Sequence, residues 1–350
     1  MELCSLPMKS QKIRIGIVGT GGTTSIAEKH LDALLKDERV LVSGVYNRHY
    51  DSAFSWIEKH NLDAKTCHDY NELLSLVDGV IICTPNSSHC ALVKEAIKNG
   101  KHFLVEKPLG VTKKECEEVS CLSQTFSGIN MIGFTYRFYS LINEAKKICK
   151  ERIGKIYTIN SYFGGKRLAD PNIGVEWRMR RALSGSGALG DFGSHLLDLA
   201  IYITGVEYDT VYAVSENMIS ERKGERVDND DASSFICRGD GSIGTFTVSR
   251  TGMDDLRLVI TGEGGMMDLS MRGNGELIYW EKDIIGPYTG RVKRVEGQTD
   301  NPYINEIKTF IDGIEGKDIS YPDMYDALYV SKVLFAAEES AQKKKEVLIS

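Results

Sequence analysis

The sequence lacks long apolar runs. No stretch of its 350 residues approaches the ~20 consecutive apolar residues that a membrane-spanning helix needs. The first eleven residues also lack the apolar segment of a secretion signal. We therefore expect a cytoplasmic protein with no membrane partner.

Paired cysteines are also missing. The eight cysteines are scattered along the chain, and none of them belongs to a C-x-x-C motif. This pattern argues against a disulfide framework and against a zinc site, and it fits reduced thiols in the cytoplasm.

An excess of positive charge is the third absence. The net charge is -6, so the positive field that nucleic-acid binding needs is missing, and we expect no nucleic-acid partner. With 42% hydrophobic and 26% charged residues, the chain has the composition of a globular protein. Its length favours two domains.

The first third of the chain alternates between two patterns. Short apolar runs typical of buried strands are followed by segments whose apolar residues recur at helical spacing. The predicted strands are 12–18, 40–45, 79–83, 101–105 and 130–135, and predicted helices begin at 26, 53, 91 and 113. Repeated strand–helix–strand units with short links predict an α/β fold with a doubly wound parallel sheet.

The regular alternation of strands and helices ends after residue 136. Helices are predicted at 141–150, 190–204, 303–314 and 323–345, with strands at 155–164, 210–216, 231–237, 242–250, 256–262 and 276–281. We expect an N-terminal extension (1–11), a first domain (12–135) and an α/β domain with an open, mostly antiparallel sheet (136–350). One of the final helices is a candidate to pack back on the first domain.

A glycine-rich turn follows the first strand. Gly19-Thr20-Gly21-Gly22 leads into a predicted helix, with Thr23 next in the chain. Glycines here allow a tight turn and close backbone approach to a pyrophosphate, whose charge the helix amides then face. Thr24 stands where the usual dinucleotide fingerprint has its third glycine, so a plain strand–helix turn is the alternative. The regular alternation of predicted strands and helices after this turn favours a dinucleotide site.

The residues at the end of the second strand help to decide between NAD and NADP. An acidic residue at this point accepts hydrogen bonds from the ribose and selects NAD. Asn47 is uncharged and does not repel a 2′-phosphate, and Arg48 can pair with one. We expect NAD or NADP, and these two residues favour NADP. The alternative is an exposed turn.

A helix in the second half carries a candidate proton-transfer group. Asp191, His195 and Asp198 are spaced so that they share one helix face. A carboxylate one turn before a histidine can orient the imidazole and raise its basicity. The alternatives are a helix cap beside a core histidine, and a metal site. Because no further His or Cys lies nearby in sequence, we expect no metal.

A charged pair ends the fourth apolar run. Glu106-Lys107-Pro108 follows His102–Val105. The end of a parallel strand lies at the carboxyl edge of its sheet, where ligands bind. The pair therefore indicates either a ligand site or an ion pair at the surface.

These motifs together resemble one known family. The chain is similar to the glucose–fructose oxidoreductase, inositol dehydrogenase and rhizopine catabolism protein family (Gfo/Idh/MocA). The matching segments run in the family's order over about residues 12–200. They are GIVGTGG (16–22), TPNSSH (84–89), EKP (106–108), YRF (136–138), WR (177–178) and GALGDFGSHLLDL (187–199).

The resemblance implies a fold and an activity. It implies an NAD(P)-binding Rossmann domain and a second domain for substrate and oligomer contacts, in a homodimer or homotetramer. Relatives are dehydrogenases that move a hydride between the nicotinamide and a secondary alcohol or carbonyl of a sugar, cyclitol or related polyol. Thr23-Thr24-Ser25 departs from the family as a short insertion, and Asn47 replaces a common Asp.

The resemblance also implies roles for individual residues. Lys107 would donate to the reacting oxygen, His195 would take the hydroxyl proton, and Asp191 would steady the imidazole. Glu106 would hold the lysine or the cofactor amide. The residues implied to line the cofactor cleft are Thr84, Pro85, Asn86 and His89.

The substrate wall is predicted from residue type. Tyr136 and Trp177 offer aromatic faces to sugar C–H groups, and Arg178 can bind hydroxyls or a phosphate. Ordinary packing and capping roles are the alternative for all three.

Two further functions are open. A non-catalytic dinucleotide-binding sensor or regulator could use the same fold, but it has no need of Lys107, Asp191 and His195 together. A reductase of a non-sugar carbonyl or dihydrodiol would need a more apolar pocket.

Overall fold

The computed structural model describes residues 12–21, 26–281, 292–296 and 300–350. The strands in these ranges are β1 (Ile13–Val18), β2 (Val40–Tyr46), β3 (Lys65–Cys67), β4 (Gly79–Ile82), β5 (His102–Val105), β6 (Asn130–Ile132), β7 (Ile156–Gly164), β8 (Thr210–Glu216), β9 (Glu221–Arg222), β10 (Glu225–Arg226), β11 (Ala232–Gly239), β12 (Ser242–Ser249), β13 (Asp255–Gly262), β14 (Gly265–Ser270), β15 (Glu276–Glu281), β16 (Val292–Glu296) and β17 (Val347–Leu348).

The helices in the same ranges are α1 (Ile26–Leu34), α2 (Tyr50–His60), α3 (Tyr70–Leu76), α4 (His89–Lys98), α5 (Lys113–Ser123), α6 (Ser140–Ile148), α7 (Arg181–Ser184), α8 (Ala188–Thr204), α9 (Pro302–Ile314) and α10 (Met324–Lys343). Among them, none combines the length and apolar character needed to cross a bilayer.

The first sheet is parallel, with strand order β3-β2-β1-β4-β5-β6. Its central strands read as apolar runs because helices cover both faces, and β4 is buried along its whole length. The strand order reverses between β1 and β4, which is where open parallel sheets bind ligands. The predicted doubly wound sheet is confirmed. The sequence did not reveal β3 and α3, which are only 3 and 7 residues long.

The second sheet has nine strands in the order β16-β15-β14-β13-β7-β12-β11-β8-β17. Among the strand pairs of this sheet that the structure describes, only β7 and β12 are parallel, so the predicted mostly antiparallel sheet is confirmed. Helix α8 packs on one face, against β7 and β12. Among the described residues nothing covers the other face, which we call the open face, and its exposed apolar side chains include Tyr212, Val214, Ile236, Ile243 and Leu348.

The last two helices both pack against the first half of the chain, and α10 also packs against the second half. Helix α9 packs against α1, and its Ile307, Phe310 and Ile311 join the core that contains Ile15. Helix α10 packs against α5 and α8 and against strand β8. The end of the chain thus lies against elements of both halves.

A buried ion-pair cluster holds α8 in place. Nε of Arg137 donates to Oδ1 of Asp198 (2.9 Å), and its Nη1 donates to Asp326 of α10 (3.0 Å). Burial raises the pKa of Asp198 to about 6, although the charge and hydrogen bonds of Arg137 oppose this rise. Breaking such a buried pair is costly, so Asp198 anchors the helix that carries Asp191 and His195.

Candidate active site

The glycine turn lies against the neighbouring strand end. Gly19 has a φ of +90°, and a Cβ there would be 2.8 Å from the backbone nitrogen of Thr84. A side chain at this position would clash, so glycine is needed for the close approach of the two loops. An exposed backbone at the carboxyl edge fits the pyrophosphate of a dinucleotide.

The residues predicted to read the ribose lie beside that turn. Oγ1 of buried Thr20 is 3.4 Å from Nδ2 of Asn47, and a Cβ on Gly21 would be 3.5 Å from the same nitrogen. Arg48 forms no ion pair or hydrogen bond with the part of the chain that the structure describes. Two further predicted contacts, Gly22 and Thr23, lie outside the described residues.

The segment after β4 lies beside a cavity between the two sheets. Thr84 and Asn86 line the cavity, and Nδ2 of Asn86 donates to the carbonyl at the end of α7 (2.9 Å). Pro85 lies between them and does not line it. His89, predicted to line the cleft, is instead fully buried, with ring nitrogens 2.8 and 2.9 Å from the carbonyl oxygens of Pro108 and Thr84. His89 therefore links the Thr84 loop to the Pro108 loop, and its side chain does not line the cleft.

Lys107 joins the two sides of the site. Its Nζ donates to Oδ1 of Asp191 at 2.6 Å and to the Asp191 carbonyl oxygen at 2.8 Å. The Lys107 side chain is only 13% exposed, so solvent screens this pair less than it would a surface pair. The two bonds fix the end of β5 to the first turn of α8. Lys107 is therefore not part of the surface ion pair that the sequence left open.

The surroundings keep Asp191 ionised. Burial alone would raise the pKa of its carboxyl group, but the positive charges of Lys107 and Arg178 and the hydrogen bond from Lys107 outweigh it. The net result is a pKa well below the usual range. The carboxylate is therefore negatively charged at neutral pH and balances the Lys107 ammonium group.

His195 lies one turn further along α8 in an aromatic environment. Its ring centroid is 4.8 Å from that of Tyr136 and 6.1 Å from that of Phe163. Burial, helped by the positive charge of Lys107, lowers the pKa of His195 well below its ordinary value. The imidazole is thus neutral at neutral pH and able to accept a proton.

Asp191 does not orient His195 as predicted. Within the described ranges, its carboxylate is hydrogen bonded to Lys107, and no hydrogen bond or ion pair links it to the imidazole. Nδ1 of His195 is buried without a hydrogen-bond partner. The spacing of the two residues places them on one side of α8, but it does not determine which group across the cavity the carboxylate meets.

The start of α8 is held by residues that the sequence did not reveal. Oδ1 and Oδ2 of Asp230 accept hydrogen bonds from the amides of Gly187 (2.6 Å) and Leu189 (2.8 Å). Buried Arg250 donates to the Asp230 carbonyl oxygen (2.7 Å). The amides at a helix start lack partners within the helix, and a carboxylate stabilises them. Asp230 lies in the run 228–231, which resembles a polar turn in sequence, so this contact had no local signal.

Glu106 belongs to a buried polar cluster. Nε2 of His30 is 2.8 Å from Oε1 of Glu106, and Nδ1 of His30 is 4.0 Å from Oε2 of Glu306. Burial would raise the pKa of Glu106, but the hydrogen bond and charge of His30 lower it. For Glu306, burial and the Glu106 charge raise the pKa well above its usual value. The predicted contact of Glu106 with Lys107 is not formed, and the sequence did not identify His30 or Glu306.

Two of the three residues predicted for a substrate wall line the cavity. Trp177 and Arg178 line the cavity, with the Arg178 guanidinium carbon 4.4 Å from the Trp177 ring centre. Tyr136, predicted for this wall, does not line the cavity and packs edge-on against His195. Tyr303 of α9 lines it instead. Nothing in the sequence indicated that Tyr303 would line the site, because α9 lies far from the site motifs along the chain and is brought to the cavity only when the chain folds.

The cavity brings complementary groups together. It encloses about 170 Å³ and is lined by Lys107, Asp191 and His195. A lysine can donate to an oxygen that gains negative charge, and a neutral imidazole can take a proton. The arrangement suits an alcohol that becomes a carbonyl, or the reverse.

Two family models match the chain. The model described as "Oxidoreductase family, NAD-binding Rossmann fold" matches residues 13–134, and the GFO/IDH/MocA C-terminal domain matches residues 142–268. The chain belongs to the Gfo/Idh/MocA family. The resemblance seen in the motifs is therefore confirmed, and the cofactor of this Gfo/Idh/MocA protein is NAD or NADP.

Curated and solved relatives agree with this assignment. Levoglucosan dehydrogenase of Pseudarthrobacter phenanthrenivorans is 32% identical over 208 residues, 59% of this chain and 53% of that protein. Glucose-6-phosphate 3-dehydrogenase of Bacillus subtilis is 30% identical over 199 residues, 56% of this chain and 55% of that protein. The chain thus spans about half the length of these relatives. A crystal structure of an oxidoreductase domain protein from Kribbella flavida has a TM-score of 0.88 at 26% identity, covering 97% of this chain and 100% of that chain.

We predict that His195 protonates only below the ordinary histidine pKa of 6.5. Burial and the Lys107 charge both disfavour the imidazolium form. An NMR titration over about pH 5 to 8 measures this pKa, with the His195 signal identified by its loss in His195→Gln. In Lys107→Met the pKa should rise, because one of the two causes is removed. A His195 signal that titrates at or above pH 6.5 in the unmodified protein would contradict the described burial.

Proposed function

We propose that the chain is an NAD(P)-dependent dehydrogenase acting on a CH–OH group of a sugar, cyclitol or related polyol. The observation that carries this proposal is that Lys107 and His195 line one cavity at the carboxyl edge of a dinucleotide-binding sheet. Support for the substrate class comes from the relatives named levoglucosan dehydrogenase and glucose-6-phosphate 3-dehydrogenase.

In the proposed reaction each residue has a separate task. The bound nicotinamide supplies the hydride acceptor or donor. Lys107 donates a hydrogen bond to the reacting oxygen and stabilises its negative charge, while Asp191 holds the ammonium group in position. His195 accepts the hydroxyl proton during oxidation and returns it during reduction. Trp177 and Arg178 contact the rest of the substrate.

The proposal extends to the two halves of the chain. Residues 12–135 bind the cofactor, residues 136–350 bind the substrate and form oligomer contacts, and residues 1–11 are an N-terminal extension. The family model that ends at residue 134 supports this boundary. The described cysteines are all free thiols, which supports a cytoplasmic location.

Turnover is the direct test of the proposed function. The purified chain is mixed with NAD⁺ or NADP⁺ and a panel of inositols, aldoses, sugar phosphates and aromatic diols, and the absorbance of the reduced cofactor is followed. We expect turnover of at least one sugar or polyol. Lys107→Ala should lower kcat by about 10²- to 10³-fold, because a donor to the developing alkoxide is lost.

The matched control for this test is Lys98→Ala. The Lys98 side chain is 73% exposed on α4, so its removal should leave kcat unchanged. Circular dichroism shows whether each variant is folded. Near-normal turnover by folded Lys107→Ala would remove Lys107 from the mechanism. Cofactor binding without turnover of any compound in the panel would favour the non-catalytic sensor.

We also propose that the chain prefers NADP, because Asn47 is uncharged and Arg48 lacks a carboxylate partner in the described ranges. Arg48→Gln should weaken NADPH binding by about 10-fold or more, the value of a charge-assisted hydrogen bond, and leave NADH binding nearly unchanged. Fluorescence titration of the reduced cofactors measures both constants, with Lys98→Gln as the control. Equal losses for the two cofactors, or no loss, would contradict this preference.

The open face of the second sheet is proposed as the contact between copies of the chain. Tyr212, Val214, Ile236 and Ile243 are 42% to 52% exposed on this face, and such a cluster is typical of an interface. Light scattering should give at least twice the chain mass of 38.9 kDa, and Ile236→Glu should shift the mass toward one chain. Leu35→Glu, at a site 61% exposed beyond α1, is the control. A monomeric unmodified protein would refute this contact.

A further inference from the structure

The catalytic cavity opens into a larger space, which we call the outer groove. The outer groove holds about 560 Å³ and shares Ile26, Arg178 and Asp191 with the cavity. Its other walls include Lys29 of α1, the segment 165–168 after β7, and Phe192 of α8. A substrate whose reacting hydroxyl lies at Lys107 therefore has room to extend into this groove.

Four cationic side chains line the outer groove. Among the described carboxylates, that of Glu176 lies beside two of them. Arg167 donates to both carboxylate oxygens of Glu176, at 2.5 and 3.1 Å, and Nη1 of Arg178 is 3.9 Å from the same carboxylate. Lys29 is exposed, with its ammonium group 5.2 Å from the ring centre of Tyr303. It forms no ion pair with any carboxylate among the described residues.

The acidic residues of the groove are balanced by other cations. Glu28 accepts hydrogen bonds from Lys59 (2.8 Å) and from Trp56, and Asp191 is bonded to Lys107. The buried Arg250 likewise has its own partners at 229–231. Among the described residues, Lys29 therefore adds a positive charge to the outer groove that none of these carboxylates balances, in a chain whose net charge is -6. Positive charge that is not balanced within a cleft raises the local concentration of anionic ligands.

We propose that the substrate carries an anionic group, a phosphate or a carboxylate, which binds in the outer groove to Lys29, Arg167 and Arg178. This inference rests on the proposed function and narrows its substrate class. Guanidinium groups form paired hydrogen bonds with both kinds of anion.

Matched neutral and anionic sugars test the proposal. Each neutral sugar is compared with its phosphate and its uronate, and KM should be about 10-fold lower or more for an anionic member, the effect of a charge-assisted contact. This advantage should shrink as ionic strength rises from about 50 to about 200 mM. Lys29→Gln and Arg167→Gln should each raise KM of the anionic member more than KM of the neutral one, and Lys98→Gln should change neither.

Binding measured without turnover separates this proposal from the proposed function. Calorimetry on the cofactor-loaded protein gives Kd for glucose, glucose 6-phosphate and glucuronate. Tighter binding of an anionic sugar, weakened by Lys29→Gln and by Arg167→Gln, supports the anion site even if no sugar is oxidised. Equal affinities within every pair overturn it, and turnover of a neutral sugar in that case leaves the proposed function standing. The tighter of the two anionic sugars identifies the anion.

Discussion

The ion pair between Lys107 and Asp191 is the contact on which the arrangement of the site depends. It joins the end of a strand in the first sheet to the first turn of a helix in the second half, 84 residues later in the chain. Because the Lys107 side chain is only 13% exposed, loss of Asp191 would leave its charge poorly compensated. Asp191 and His195 share a helix face, so the same contact sets where the imidazole stands relative to the lysine.

Each end of this ion pair is supported by buried contacts outside the cavity. On one side, His89 bridges the Thr84 and Pro108 loops. On the other, Asp230 holds the first amides of α8, and Arg137 bonds to Asp198 two turns further along. Groups locked in this way keep the geometry that a hydride transfer requires without depending on the substrate to create it.

Local patterns in the sequence were enough for part of this arrangement. The apolar runs of β1, β4 and β5 and the helical spacing around His195 predicted the elements, and strand ends of a parallel sheet must share one edge. Lys107 could therefore be placed at that edge, and the resemblance to the family implied that His195 faces it. Contacts between residues far apart in the chain leave no local pattern in the sequence. For this reason Asp191 was expected to contact His195 rather than Lys107. For the same reason Tyr136 was expected at the position in the cavity wall that Tyr303 occupies. Short elements such as β3 (Lys65–Cys67) were missed because three residues are too few to show a period.

The proposed function requires that this cavity transfer hydride directly between a polyol carbon and the nicotinamide. The most direct measurement follows deuterium from a substrate labelled at the reacting carbon. After one turnover, NMR of the cofactor should show the deuterium on the nicotinamide ring, and His195→Gln should slow the transfer without sending label to water. Deuterium that appears in the solvent, or none transferred while the cofactor and sugar are both bound, would contradict the claim.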